Sequence, residues 1–223
     1  MDQPIPLSQK LYLLGIHPEK GGIISAAYTS MDYILLGSLF LELFQSKNIR
    51  FEKKRIEVTD SSSENSLHQF LLDKLSTSSK PLKISRWINK FYFSMKYIRG
   101  EVQKQLIDKR MIRMENKGFL FFKWKKPVLI KKQEVYSLVN EIERNVFGNP
   151  TSEEEIMLLS LLKPAGLLKR IFPDKDKLKR AKKRLDKLTV ENQISIAVSD
   201  AISAAQAVAA SVAVTTVTTS SAT

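Results

Sequence analysis

The side chains able to make or break bonds are few and scattered. His17 and His68 lie far apart, and neither belongs to an HxxxH or HExxH pattern that would turn two imidazoles onto one metal. There is no cysteine, which excludes disulfides, thiolate metal sites and a cysteine nucleophile. No GxSxG elbow occurs, and no two carboxylates have a spacing that suggests acid–base work. The eight glycines are dispersed and form no phosphate-cradling loop. Zinc-finger spacing and an RNP-type aromatic motif are missing as well. These residues predict a protein that binds and does not catalyse, with no metal and no cofactor.

Positive charge is the chemistry the chain does carry. Thirty-six Lys and Arg face twenty-three Asp and Glu, a formal net charge of +13. Such an excess attracts anionic partners, nucleic acid or acidic lipid headgroups alike, without choosing between them. The cations are concentrated in three places. Lys83, Arg86, Lys90, Lys96, Arg99 and Lys104 form the polar side of one helical segment. Lys123, Lys125 and Lys126 follow the apolar run Phe119-Leu120-Phe121-Phe122. Lys169 to Lys187 is the most basic stretch, with only a thin apolar stripe of Leu178, Leu185 and Leu188. That stretch reads as a solvated surface helix or as an anionic-surface contact.

The elements that must position these groups are mostly helical. Met31 to Phe44, MDYILLGSLFLELF, is apolar almost all the way round, so it belongs inside the domain with other elements on every face. At about 1.5 Å per residue it is roughly 20 Å long, too short to cross a bilayer. Ser25, Thr29 and Ser30 are its candidate N-caps, and Glu42 within it needs a cationic or hydrogen-bonding partner. Leu7 to Ile16 predicts a short helix stopped by His17-Pro18, and Gly21-Gly22 a turn. Asn48 to Val58 alternates as a β-hairpin around Lys53-Lys54, followed by a polar loop at Asp60 to Asn65.

Further on, Leu67, Phe70, Leu71 and Leu75 have helical spacing. Ile84, Trp87, Ile88, Phe91, Tyr92, Met95, Ile98, Val102 and Leu106 form one apolar stripe, on one long helix or two in tandem, with Trp87 and its aromatic neighbours in the core. Met111 to Ile130 predicts a second hairpin turning at Asn116-Lys117-Gly118. Its Phe119–Phe122 run is either covered on both faces or an apolar tip. Val135 to Val146 is amphipathic. Thr151-Ser152-Glu153-Glu154-Glu155 is a helix start, and Pro164-Ala165-Gly166 a break. Residues 191–223, rich in Ala, Ser and Thr, predict a weakly packed helix fading into a disordered end, beyond a domain at 1–190. The first residues lack a basic region followed by an apolar one, so the expectation is a cytosolic protein.

Several pieces of this order are shared with a known family. They are LYLLGI with the Glu19–Gly22 turn, GSLFLELF with its following hairpin, KYIRGEVQKQL at Lys96–Leu106, IDKRMI leading into NKGFLFF, and EEEIMLLSLLKPAGLLKRIF. Together the chain resembles the Golgi phosphoprotein 3 family, whose domain also occurs in bacterial proteins. The resemblance implies a mainly α fold with a central helical bundle, peripheral amphipathic helices and a projecting β-hairpin. It implies a peripheral membrane protein holding phosphatidylinositol 4-phosphate in a shallow basic pocket, and in eukaryotes a Golgi adaptor for the cytosolic tails of membrane enzymes. The family's two pocket-helix cations fall on Lys96 and Arg99, one turn apart and able to clamp one phosphate. Its pocket tryptophan falls on Ala27, or on Tyr28 if a one-residue gap moves, and its central-helix arginine on Leu36.

Three readings follow. In the first, Lys96, Arg99 and Tyr28 bind an anionic headgroup while Phe119, Leu120, Phe121 and Phe122 enter the membrane. In the second, the fold is kept as a soluble module that binds proteins or itself through that hairpin. In the third, Lys169–Lys187 binds nucleic acid.

Overall fold

The computed structural model describes residues 4–119, 122–148, 150 and 152–189. The fold is mainly α with two small antiparallel sheets, as the apolar periodicity predicts. Helix α3, Met31–Gln45, runs through the centre and buries nearly every residue. Against it lie α1 (Leu7–Gly15), α6 (Met95–Asp108), α8 (Glu153–Leu162) and strand β1 (Ile49–Glu52). Neighbours on every side are what an all-round apolar helix requires.

The entry into α3 differs from the capping expected of it. Ser25 opens the short helix α2, Ser25–Tyr28, and Thr29 closes it. Ser30 occupies the N-cap position of α3, but its hydroxyl donates to the Ala27 and Ala165 carbonyls, each at 3.1 Å, and caps no N–H. The bond to Ala165 ties this entry to the break after α8. Gly166 in that break has φ +70°, and a Cβ there would lie 2.1 Å from the Ala26 carbonyl oxygen, so only glycine allows the two backbones to meet.

The first hairpin is β1 and β2 (Arg55–Val58), with Ile49 opposite Val58 and Phe51 opposite Ile56. Lys53 and Lys54 both hold positive φ, the geometry of a tight two-residue turn. A two-residue strand β3, Leu82–Lys83, pairs with β2, too short to show a period in the sequence. Asn48 Nδ2 donates to the Asp60 and Ser62 carbonyls and fixes the polar loop, and Asn65 caps α4 (Ser66–Ser76) by accepting from the Leu67 and His68 N–H groups.

The long apolar stripe resolves into two helices in tandem. Helix α5 (Ile84–Phe91) leads through one 3₁₀ turn, Tyr92–Ser94, into α6. Trp87, Ile88 and Phe91 are buried, with Phe91 edge-on to Phe40 of α3. Tyr92 is not part of that core; the tighter 3₁₀ turn carries it out to solvent.

The second hairpin is β4 (Ile112–Phe119) and β5 (Phe122–Leu129), and its turn is not at Asn116-Lys117-Gly118. Those residues lie inside β4, opposite Lys125, Trp124 and Lys123. The register is set at the base, where Ile112 and Leu129 are a buried pair and the Ile130 N–H donates to the Met111 carbonyl at 2.9 Å. A register fixed by buried residues overrides a local turn signal. Leu120 and Phe121 lie outside the described residues, and of Phe119 and Phe122 only the backbone is described. The Gly22 N–H donates to the Pro127 carbonyl at 2.7 Å, pinning β5 to the turn after α1.

Helix α7 (Lys132–Phe147) precedes α8, whose start is a full capping box of Ser152 and Glu155. After the short α9 (Leu168–Ile171), α10 (Lys175–Thr189) packs on α7 and α8 through Ala181 and Leu185. Residues 191–223, read as a fading helix, lie outside the described residues. Among the described residues no helix is long and apolar enough to cross a membrane.

Candidate functional site

On α6, Lys96 lies on the solvent side, and Arg99, next to Ile98 and one turn from Met95 and Val102, lies at the edge of the buried stripe of Met95, Ile98, Val102 and Leu106. Lys96 is exposed, whereas Arg99 is half-buried. The reason is a contact across 67 residues: Arg99 Nη1 donates to Asp32 Oδ1 at 2.8 Å. Asp32 occupies the first turn of α3, where a carboxylate also meets the positive end of the helix dipole. Burial nevertheless pushes its pKa above the ordinary carboxylate value, outweighing the attraction of Arg99.

Behind the ion pair stands Tyr12 of α1, fully buried, its hydroxyl accepting from Gln103 Nε2. Burial raises its pKa from 10.0 to about 12, and both Arg99 and Asp32 act on it. The folded protein therefore keeps this proton between pH 10 and 12, where the unfolded chain releases it. The resulting stability is fully present below pH 10 and is lost as the pH rises through 12, at about 1.4 kcal/mol per pH unit. Denaturant titrations at pH 9 to 12 should show that slope for the wild type and a shallower one for Tyr12→Phe.

The other positions that the sequence resemblance assigns to a pocket have different fates. Ala27 and Leu36 are fully buried, so neither can touch a ligand at the surface. Tyr28, beside Ala27, is 71% exposed. Asp32, which holds Arg99, was not among the sequence-predicted site residues; a lone carboxylate in the first turn of an apolar helix was its only signal. Nor does periodicity reveal that Tyr92 and Phe93 stand in solvent.

The basic helix α10 spends several of its cations on the body of the protein. Lys177 pairs with Glu143 at 2.7 Å, Arg180 lies over the Phe147 ring, and Arg184 donates to the Gly148 carbonyl. It is neither a purely solvated helix nor an unoccupied row of charge.

Comparison with known sequences places this architecture. The sequence profile of the Golgi phosphoprotein 3 (GPP34) family matches residues 7–205. The chain belongs to that family. The match takes in every element from α1 to α10, including the α3–α6 contact and the second hairpin. The chain is also similar to Vacuolar protein sorting-associated protein 74 of Schizosaccharomyces pombe (strain 972 / ATCC 24843), at 27% identity over 139 residues. That similarity covers 53% of this chain and 41% of the relative, so the chain spans less than half of that protein.

Proposed function

We propose that this family member is a non-catalytic peripheral membrane protein that binds an anionic lipid headgroup, of the phosphatidylinositol 4-phosphate kind, through Lys96, Arg99 and Tyr28. Bound at the cytosolic face of a membrane, it serves as a trafficking adaptor for the cytosolic tails of membrane proteins. The carrying observation is the pair of cations one turn apart on α6, Lys96 exposed and Arg99 half-buried, at the positions to which the sequence resemblance assigns headgroup contacts. The name of the fission-yeast relative, a sorting protein, supports the adaptor role. Lys123, Lys125 and Lys126 on β5 would add attraction to the same anionic surface.

Asp32 tempers this site. Its carboxylate already engages Arg99 and repels a phosphate, so affinity rests on a competition. That competition, together with buried Leu36 and Ala27, favours as second reading a module of the same fold that binds proteins or itself and not lipid.

Co-sedimentation with phosphatidylcholine vesicles, with and without phosphatidylinositol 4-phosphate, tests the proposal. Wild-type protein should sediment with the anionic vesicles, less so as salt is raised. Lys96→Glu with Arg99→Glu should weaken binding at least about tenfold, at about 1 kcal/mol per cation removed. Asp32→Asn should strengthen it roughly fivefold by releasing Arg99. Asparagine matches aspartate in volume, so the packing at the start of α3 should survive this change. Unchanged sedimentation of the double variant would defeat the headgroup site, and failure of the wild type to sediment with either vesicle would favour the protein-binding module.

A further inference from the structure

The surface of α5 and α6 is mostly polar, with a few apolar exceptions. Ile84, Trp87, Ile88 and Phe91 of α5, then Met95, Ile98, Val102 and Leu106 of α6, face the core. On the other side Arg86, Asn89, Lys90 and Lys96 are exposed. Tyr97, packed on Phe70, and Ile107 are the milder ones; the most exposed lie at the 3₁₀ turn between the helices, where Tyr92 is 57% and Phe93 is 93% exposed. Their rings touch edge to face, centroids 5.3 Å apart, so they form one apolar projection. Tyr92 also stands close enough to Tyr33 of α3 to act on it electrostatically, which puts the projection beside the start of α3, where Asp32 holds Arg99.

A phenylalanine this exposed contributes almost nothing to folding, since the gain of a buried ring comes from leaving water. Scattered apolar residues on a surface need no explanation. Two adjacent rings in the middle of a cationic band do. From Lys80 to Gly100 the chain carries Lys80, Lys83, Arg86, Lys90, Lys96 and Arg99, and no Asp or Glu. A protein partner fits this poorly, because lysine is depleted from the cores of protein interfaces. An anionic bilayer fits it well: aromatic rings favour the interfacial layer, and lysines and arginines lie along it with their charge among the headgroups.

We infer that Tyr92 and Phe93 are a membrane-inserting wedge. On an anionic bilayer the Phe93 ring enters the interfacial layer, Tyr92 lies at headgroup level, and Arg86, Lys90 and Lys96 meet the lipid phosphates around them. The inference rests on the lipid-binding reading of Lys96 and Arg99 and assigns to the same face a second, apolar contact, separate from the second hairpin.

The test uses the full chain and vesicles of phosphatidylcholine and phosphatidylserine with brominated acyl chains. Trp124 is changed to phenylalanine to remove an exposed fluorophore, and Phe93→Trp is added; Trp87 is buried and stays as background. Binding should shift the Phe93→Trp emission to the blue and quench it relative to the Trp124→Phe protein, and brominated neutral vesicles should do neither. Phe93→Ser, harmless to the fold at this exposure, should weaken sedimentation about tenfold. Sedimentation without quenching, or wild-type affinity of Phe93→Ser, overturns the wedge while leaving the headgroup site intact. Loss of binding in Phe93→Ser but not in Lys96→Glu with Arg99→Glu supports the wedge and overturns the headgroup site. A solution dimer that Phe93→Ser dissolves would assign the rings to self-association and overturn the inference.

Discussion

Arginine in place of Leu36 is expected to unfold the protein, not to complete a phosphate site. The substitution is inviting, because the sequence resemblance sets an arginine at this position. Leu36 is fully buried, however, on a helix with neighbours on every side, and Leu35, Leu39 and Phe40 around it are buried too. An ionised guanidinium there loses its water, and the carboxylate one turn earlier on α3, Asp32, is already paired with Arg99, so a penalty of several kcal/mol remains even after relaxation. The extra volume adds about 1–3 kcal/mol of strain. Together these reach at least about 5 kcal/mol, against a total stability of about 5–15 kcal/mol for a domain. Urea denaturation should show little or no folded baseline for Leu36→Arg, and Leu36→Met, which conserves volume, should lose less than about 1.5 kcal/mol. A folded Leu36→Arg protein with tighter phosphatidylinositol 4-phosphate binding would show that the site reaches into α3 at this point, contrary to its burial.

The contrast between Leu36 and Lys96 marks where sequence stops being informative. Strong periods survive folding: α1, α3, the Lys53-Lys54 hairpin and the Ser152–Glu155 capping box all occur where apolar spacing and turn chemistry place them. The exposure of Lys96 is legible for the same reason, since the stripe beneath it is unambiguous. Weak signals gave way to packing. Asn116-Lys117-Gly118 resembles a turn, yet the buried Ile112–Leu129 pair at the base decides where the strands meet. Tyr92 falls on the 3.6-residue stripe only while the helix is assumed continuous; the 3₁₀ turn breaks the count. The Arg99–Asp32 pair had no signature in the sequence, because it depends on how α3 and α6 lie against each other.

Glu42 was legible as a problem, and its solution predicts the second large effect. Its side chain is almost wholly buried. Oε1 accepts the Ser8 N–H at 2.6 Å, and Oε2 accepts from His68 Nε2 at 2.8 Å. Ser8 lies in the first turn of α1, which is preceded by Pro6 and has no side-chain cap of its own. An opening turn leaves N–H groups without helical partners, and Glu42 reaches across from α3 to satisfy one of them. The carboxylate thus joins α1, α3 and α4 at a single point. Alanine at position 42 would leave both the Ser8 N–H and His68 without acceptors in a dry site, and should cost about 3–5 kcal/mol. Glu42→Gln keeps an acceptor oxygen but not the charge, and should cost less. In a double-mutant cycle His68→Ala should add little to Glu42→Ala, because the contact is already gone. A loss below about 1 kcal/mol for Glu42→Ala would mean that water replaces the carboxylate at both donors. Glu42 lies about 15 Å along α3 from Asp32, at 1.5 Å per residue. The folded fraction of Glu42→Ala should therefore sediment with anionic vesicles as the wild type does, so that a loss of stability here, unlike one at Lys96 or Arg99, leaves the affinity for lipid untouched.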